Sequence, residues 1–426
     1  MFRQKWTQAW FCVLLLTVFS LDTFVSQVRA DTENAPSTIT SMAYNAYNIA
    51  AKATKPKIKT KKTTPQKSSV KNSSAPVKNP IESTNMPTVT ADAAILMDSA
   101  TGDILFDKQA HKRRPPASTT KIMTAILGLE LGRPDELVTV SEKAAAVGES
   151  TIHLDPGEKI PLYELITGAL VKSGNDACVA IGEQIVGSEE KFVRMMNQKA
   201  MTLGAKDTNF VNTNGLPNKN HYSTAYDLAL MARYGLQIPA FSSITRLKET
   251  EIHFLEPDVF MDLRNTNKLL WNYPFADGVK TGTTTAAGKC LVASASKDGR
   301  QLIAVVLNAP NRFGDAQKLL EWGFQQTETV MLAKAGEVVA EFPMVSKEPV
   351  KAFVQYPLDV CVQKMDKEKI EKKIVWTRKA SLPIQAGEEL GVYEVWLNEQ
   401  KLKSTPLFAE GDAKLKGGFL NLYEGK

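Results

Sequence analysis

The sequence predicts an α/β (α+β) fold: a central antiparallel sheet flanked by helices over residues 87–336, then a small all-β domain over 337–426. Three observations lead there. Apolar strand-like runs pair as hairpins near both ends of the first region, at 93–106 and 290–307. Helical periodicity recurs between them. From about Glu337 the pattern changes to short alternating runs, at Phe353–Val362, Lys373–Trp376 and Val392–Leu397.

The N-terminus stands apart from this. Arg3 and Lys5 precede an apolar run from Trp10 to Leu21, and Val28-Arg29-Ala30 gives a small-x-small cleavage site, so residues 1–30 read as a secretory signal. An uncleaved anchor is the other reading, and either one takes the chain out of the cytoplasm, to the cell envelope or beyond. Residues 31–86 are Lys, Thr, Ser, Pro and Asn with few large apolar side chains. Such a segment cannot bury enough surface to offset its ordering entropy and is expected to be disordered. Nine lysines and no acid fall between residues 52 and 78. With residues 1–30 at +2 and 31–51 at −2, the formal +6 of the 426-residue chain leaves residues 79–426 at −3. The basic character thus belongs to one segment and does not mark a nucleic-acid groove. It allows peripheral electrostatic contact with an anionic envelope polymer or membrane.

The four cysteines make no disulfide framework, because Cys12 lies in the signal and Cys178, Cys290 and Cys361 are odd in number. None has metal-ligand spacing and the four histidines are scattered, so neither a metal nor a cofactor is expected. Order begins near Val89. Ala93–Met97 reads as a buried strand, Asp98–Asp103 as a turn, and Ile104–Phe106 as the hairpin partner. Pro115-Pro116-Ala117 halts regular structure before Ser118. Ile122, Met123, Ala125, Ile126 and Leu129 then repeat at helical spacing and end near Gly132, which puts Ser118 at the mouth of a half-buried helix. Leu162–Val171 and Asp176–Ile185 read as two more helices. Asp277-Gly278 is a turn before the strand Val279–Thr283. Strands at 290–295 and 302–307 are joined through Asp298-Gly299, and a helix is expected over 316–335 with Leu319, Leu320, Trp322 and Phe324 as its apolar residues.

Three motifs carry the chemistry: Ser118-Thr119-Thr120-Lys121, Ser173-Gly174-Asn175 and Lys280-Thr281-Gly282. Each alone is weak, since the first is also an ordinary helix start, the second a turn and the third a strand end. In this order they describe serine acyl transfer with lysine as the activating base. Residues i and i+3 share a helix face, so Lys121 can reach Ser118 Oγ, and the helix N-terminus favours the developing negative charge. Burial, with Lys280 as a nearby cation, would hold Lys121 partly neutral. Backbone N–H groups of Ser118 and Thr283 would form an oxyanion hole, and Gly282 would let substrate lie close along its strand.

These motifs and their surroundings resemble the low-molecular-mass penicillin-binding proteins that are serine-type D-alanyl-D-alanine carboxypeptidases. The resemblance runs over about residues 87–420. It includes Pro116–Thr124, Ser173–Ala177, Phe210–Leu216, His221 with Ser223–Leu228, and Asn265-Thr266-Asn267 through Asp277–Gly282. It implies a penicillin-binding/β-lactamase-like domain in which Ser118 is acylated and Lys121 is the base. It implies also that Ser173 and Asn175 line the opposite wall, and that Lys280 and Thr281 take the substrate's terminal carboxylate. Arg312 lies near the place of a further carboxylate-binding arginine. His221, Ser223 and Asp227 read as structural. The implied substrate is the peptidoglycan stem pentapeptide, which would lose its terminal D-alanine, with β-lactams as covalent inhibitors.

Two alternatives are a class A β-lactamase and a non-catalytic envelope-binding protein. The first needs a deacylating Glu-x-x-Leu-Asn between the second and third motifs. The match, Glu394-Val395-Trp396-Leu397-Asn398, falls after Lys280 in a strand-like run and is a decoy. Against the second stand three intact motifs. The stretch Lys414–Lys426, with adjacent glycines, offers no interfacial helix, so attachment after signal cleavage is expected to rest on the lysines of 52–78.

Overall fold

The computed structural model describes residues 86–344 and 349–414. The signal, the Lys-rich segment through residue 85 and the stretch from Leu415 onward lie outside the described residues. The central sheet has five antiparallel strands: β1 (Ala93–Asp98), β2 (Ile104–Lys108), β7 (Ala276–Thr284), β8 (Gly288–Lys297) and β9 (Arg300–Leu307), in the order β2-β1-β9-β8-β7. The terminal and later portions of this domain thus meet in one sheet, with Ala93 opposite Leu307 and Asp98 opposite Leu302. Both faces are covered, which explains why β1 is apolar from Ala93 to Met97 and β9 from Leu302 to Leu307 rather than alternating. Ile95, Met97, Val292, Ile303 and Val305 face the larger helical core, while Leu96, Leu291, Ala293, Ala304 and Val306 face the other.

Between β2 and β7 the chain forms the helical side. Its elements are α1 (Lys121–Leu131), α2 (Glu142–Ala145), α3 (Leu162–Val171), α4 (Asn175–Val186), α5 (Glu189–Thr202), α6 (Ala225–Leu236), α7 (Pro239–Thr245) and α8 (Leu269–Asn272). Two small two-stranded antiparallel sheets accompany it: β3 (Leu137–Thr139) with β4 (Lys159–Pro161), and the hairpin β5 (Glu249–Leu255) with β6 (Asp258–Arg264). The expected helix limits hold for α1, whose C-cap is Gly132, and for α3. In α5, Ser188 caps by accepting from Lys191 N–H, and Phe192, Met196 and Ala200 form a narrow apolar stripe at i, i+4 and i+8. Thr224 caps α6 through Asp227 N–H. The Asp227 carboxylate itself accepts from Asp207 N–H at 2.8 Å and Thr208 Oγ1 at 2.7 Å, so it ties the loop after α5 to α6.

The other sheet face is closed by α9 (Arg312–Gln326), on which Leu319, Leu320 and Trp322 are buried. The helix expected over 316–335 therefore starts earlier and stops at Gln326. Residues Thr327–Ala333 are strand β10, antiparallel to β13 (Leu358–Gln363). Thr327, Thr329 and Val330 are β-branched, and burial there follows a two-residue period that overrides any helical reading. The remaining C-terminal strands form a five-stranded antiparallel sheet in the order β11-β12-β16-β15-β14. These strands are β11 (Val338–Phe342), β12 (Val350–Val354), β14 (Ile370–Trp376), β15 (Glu389–Leu397) and β16 (Gln400–Ala409). The single run expected over 353–362 is broken at Gln355-Tyr356-Pro357 into β12 and β13. The seam with the first region is polar. Arg300 pairs with buried Asp98 at 2.7 Å and donates to Thr327 O, while Cys361 N–H donates to Asp103. No helix among the described residues is long and apolar enough to cross a membrane.

Candidate active site

Ser118 sits in a tight 3-10 turn, Ala117–Thr120, that leads directly into α1, so Lys121 is the first residue of the α-helix. The turn is tightened by its own side chains. Thr119 Oγ1 donates to Pro116 O at 2.7 Å and Thr120 Oγ1 to Ala117 O at 2.9 Å. Ala117 is held at φ 49°, a left-handed conformation costly for a residue with a Cβ. Two glycines close on it. A Cβ at Gly282 would stand 2.9 Å from Pro116 O and 3.0 Å from Ser118 N, and one at Gly215 would collide with Ala117 O. The sequence assigns Gly282 to substrate approach. In the structure its missing side chain also lets β7 lie flush against the Ser118 peptide.

Lys121 Nζ has three oxygen partners: Ser118 Oγ at 2.9 Å, Asn175 Oδ1 at 2.8 Å and the Asn214 carbonyl at 2.8 Å. The Asn175 amide is oriented by its Nδ2 donating to Gly148 O at 2.9 Å, which fixes Oδ1 as the atom facing lysine. Burial pulls the Lys121 pKa from 10.5 down to about 8, against weaker opposing pulls from Cys178, Asp176 and Glu149. Lys280 is also buried, and donates to Thr281 O at 3.3 Å. Burial first, and the Lys121 ammonium second, hold it well below 10.5. Desolvation rather than Lys280 is therefore the main depressant of Lys121, and the coupling expected between the two lysines shows chiefly on Lys280.

Ser173 precedes α4 at φ 75° and is 6% exposed; Asn175 opens the helix. The loop over this wall is pinned from α4. Asn175 N–H donates to Ser150 O at 2.7 Å, and the buried Asp176 carboxylate accepts three backbone N–H groups, from Ile152, Leu154 and Ala177. On the β7 side, Thr281 Oγ1 lies 2.6 Å from Thr266 Oγ1, and Asn267 Nδ2 donates to Gly278 O at 2.8 Å. The Asn265-Thr266-Asn267 motif thus buttresses the strand that carries Lys280. Arg312 at the start of α9 reaches the end of β7: its Nη1 donates to Gly282 O at 2.9 Å and Thr283 Oγ1 at 2.8 Å. Its buried Nε has no hydrogen-bond partner among the described residues, and burial lowers its pKa. The structure therefore joins Ser118, Lys121 and Asn175 by hydrogen bonds, sets Gly282 of β7 against the Ser118 peptide and Arg312 on Gly282 and Thr283, and buries Lys280 and Thr281 on the same strand; Ser173 lies two residues before Asn175.

Sequence reasoning missed three contributors. The Asn214 carbonyl is a backbone group, which no side-chain pattern can announce. Gly215 and His221 belong to motifs read only as resemblance or as structure, yet His221 Nε2 lies 2.8 Å from Thr120 Oγ1, inside the Ser118–Lys121 motif. The Glu394–Asn398 decoy lies on β15 and just beyond it, in the C-terminal sheet.

Comparison with known proteins agrees with this geometry. Residues 80–311 match the family model described as D-alanyl-D-alanine carboxypeptidase, and residues 328–414 match that of the penicillin-binding protein 5 C-terminal domain. The Bacillus subtilis D-alanyl-D-alanine carboxypeptidase DacF is 39% identical over 78% of this chain and 87% of its own length. Crystal structures of penicillin binding protein 5 from Haemophilus influenzae superpose with a TM-score of 0.71 at 30% identity, covering 78% of this chain and all of that one. A mutant Streptomyces K15 DD-transpeptidase superposes at 0.54 and 32% identity, over 56% of this chain and all of that one. The chain belongs to the D-alanyl-D-alanine carboxypeptidase family and is a serine-type, penicillin-binding hydrolase, rather than a class A β-lactamase or a non-catalytic envelope protein.

Proposed function

We propose that Ser118 attacks the carbonyl of the penultimate D-alanine of a peptidoglycan stem pentapeptide, with Lys121 as base, and releases the terminal D-alanine before water resolves the acyl-enzyme. The observation that carries this is the set of partners around Lys121 Nζ. Asn175 Oδ1 and the Asn214 carbonyl can only accept hydrogen bonds, whereas Ser118 Oγ can also donate. In the neutral amine the two N–H bonds therefore go to the two obligate acceptors, and the lone pair is left facing the Ser118 hydroxyl. A pKa near 8 keeps part of the population in that neutral form.

The tetrahedral oxyanion is received by the N–H groups of Ser118 and Thr283, from the two segments that Gly282 allows to lie together. Ser173 and Asn175 hold the scissile amide on the far wall, and the Ser173 hydroxyl gives its proton to the departing D-alanine amine while taking one from the Lys121 ammonium, so the proton lost by Ser118 leaves with the amine and Lys121 is neutral again for the attack of water. Lys280, Thr281 and Arg312 take the terminal carboxylate: the first two are buried neighbours on β7, and the Arg312 guanidinium is hydrogen-bonded to Thr283 at the end of that strand. That carboxylate supplies a counter-charge that Lys280 lacks among the described residues. β-Lactams would acylate Ser118 by the same route.

Incubation with a stem pentapeptide and mass spectrometry of the products tests this reading. One D-alanine and a tetrapeptide are expected, together with a penicillin adduct that maps to Ser118. An adduct on another residue, or no shortened peptide, overturns it. This substrate places the working enzyme at the cell envelope, after export. The lysines of 52–78 then supply salt-sensitive attraction to anionic polymer or lipid. Release of the mature protein by a high-salt wash is expected; release by detergent only would refute that attachment.

A further inference from the structure

His221 is buried, and burial pulls its pKa down to about 4, so at neutral pH its ring is uncharged and must present one donor and one acceptor. The structure decides which nitrogen is which. Val211 N–H donates to Nδ1 at 3.2 Å, so the proton resides on Nε2, which donates to Thr120 Oγ1 at 2.8 Å. The Thr120 hydroxyl in turn donates to Ala117 O at 2.9 Å. The result is a one-directional chain, backbone amide to imidazole to hydroxyl to carbonyl, ending on the residue before Ser118.

The two ends of that chain matter because both belong to the reacting groups' immediate support. Ala117 is the left-handed residue whose peptide leads into Ser118. Val211 begins the short segment whose Thr213 carbonyl accepts from Thr124 Oγ1 at 2.5 Å, whose Asn214 carbonyl holds Lys121, and whose Gly215 packs on Ala117. His221 is the side chain that ties this segment to the nucleophile turn.

We propose that His221 is a positioning residue for acylation: as the Nε2–H tautomer it orients Thr120, and through it the Ala117 carbonyl, so that Ser118 Oγ and the base Lys121 stay in line. It touches neither substrate nor the reacting atoms. A misplacement of about 1 Å at a reacting centre costs on the order of a hundredfold, so loss of this tie is expected to slow acylation by about ten- to a hundredfold. The carboxylate-binding side should be untouched, which leaves KM for the peptide near its original value while kcat falls.

The test uses isosteres of each half of the ring. His221→Gln keeps a donor reaching towards Thr120, and His221→Asn keeps an acceptor near Val211 N–H. Acylation by a fluorescent penicillin, kcat and KM on a D-Ala-D-Ala peptide, and the thermal melt are measured for the full-length protein and each variant. The expected result is slow acylation in His221→Ala and His221→Asn, recovery in His221→Gln, and the same loss in the near-isosteric Thr120→Val. The double variant His221→Ala/Thr120→Val should be no worse than either single change, since both break one chain. Wild-type acylation in a folded His221→Ala, equal recovery by Asn and Gln, or losses that multiply in the double variant would each overturn the proposal. If the alanine variant does not fold, Thr120→Val decides alone: acylation at the wild-type rate overturns it. The inference rests on Ser118 being the acylated residue. Failure of the unsubstituted protein to label at Ser118 sinks both readings, whereas normal labelling with an unimpaired Thr120→Val sinks this one only.

Discussion

Acylation of Ser118 should rise with pH through an inflection set by Lys121. The neutral amine is the form that can take the serine proton, and burial lowers its pKa from 10.5 to about 8. At pH 7 such a group is neutral in about one molecule in ten, against about three in ten thousand for an unperturbed lysine, so burial gains about 300-fold in competent base. Below the inflection the rate should drop by about tenfold per pH unit. Lys121→Arg keeps a cation in place but cannot deprotonate in this range, so its acylation should be slower by about a hundredfold or more and without the rising limb. Single-turnover labelling with a fluorescent penicillin from about pH 6 to about pH 9 reads both effects directly. A flat profile in the wild type, or Lys121→Arg within a few-fold of it, would show that Lys121 acts only as a charge and would remove the argument built on its three partners.

Three further substitutions probe the supports of the cleft. In Gly282→Ala the new methyl would press on Pro116 O and Ser118 N, so acylation should fall by about tenfold or more as β7 is pushed from the turn; normal acylation would mean the turn yields freely. Lys280→Ala should erase the preference for a free over an amidated C-terminus in competition kinetics, and if the preference persists, Arg312 is the group that holds the carboxylate. Asp176→Ala leaves three buried backbone N–H groups without their acceptor and should cost about 3 kcal/mol or more in denaturant stability, with partial recovery in Asp176→Asn; a loss under about 1 kcal/mol would show that the 150–154 loop finds other partners.

Much of this architecture was legible in the sequence because it is written in local patterns. The β8–β9 hairpin followed from two apolar runs and Asp298-Gly299, and α3 from apolar spacing at 162, 165, 166, 169 and 170. The same logic failed where tertiary packing overrode it. Residues 327–333 look like the tail of α9, but pairing with β13 draws them into a strand. β16, the longest strand of the C-terminal sheet, runs Lys-Leu-Lys-Ser-Thr-Pro over residues 401–406 and gave no clear alternation to read.

The candidate site divides along a different line. Its side chains were visible because acyl transfer demands a nucleophile, a base and a carboxylate receptor of recognisable types. What holds them was not, because the holding is done by groups every residue possesses. Lys121 is oriented by a carbonyl, the Ser118 peptide is enclosed by two absent side chains, and the 150–154 loop is fixed by amides gathered on Asp176. A carbonyl at position 214 could belong to any residue type; what is specific is its location, set by Gly215 against Ala117 and by the Val211–His221–Thr120 chain. These contacts give the Phe210–Leu216 motif its physical meaning: it is the backbone scaffold that holds Lys121, and its side chains serve mainly to keep that scaffold in place.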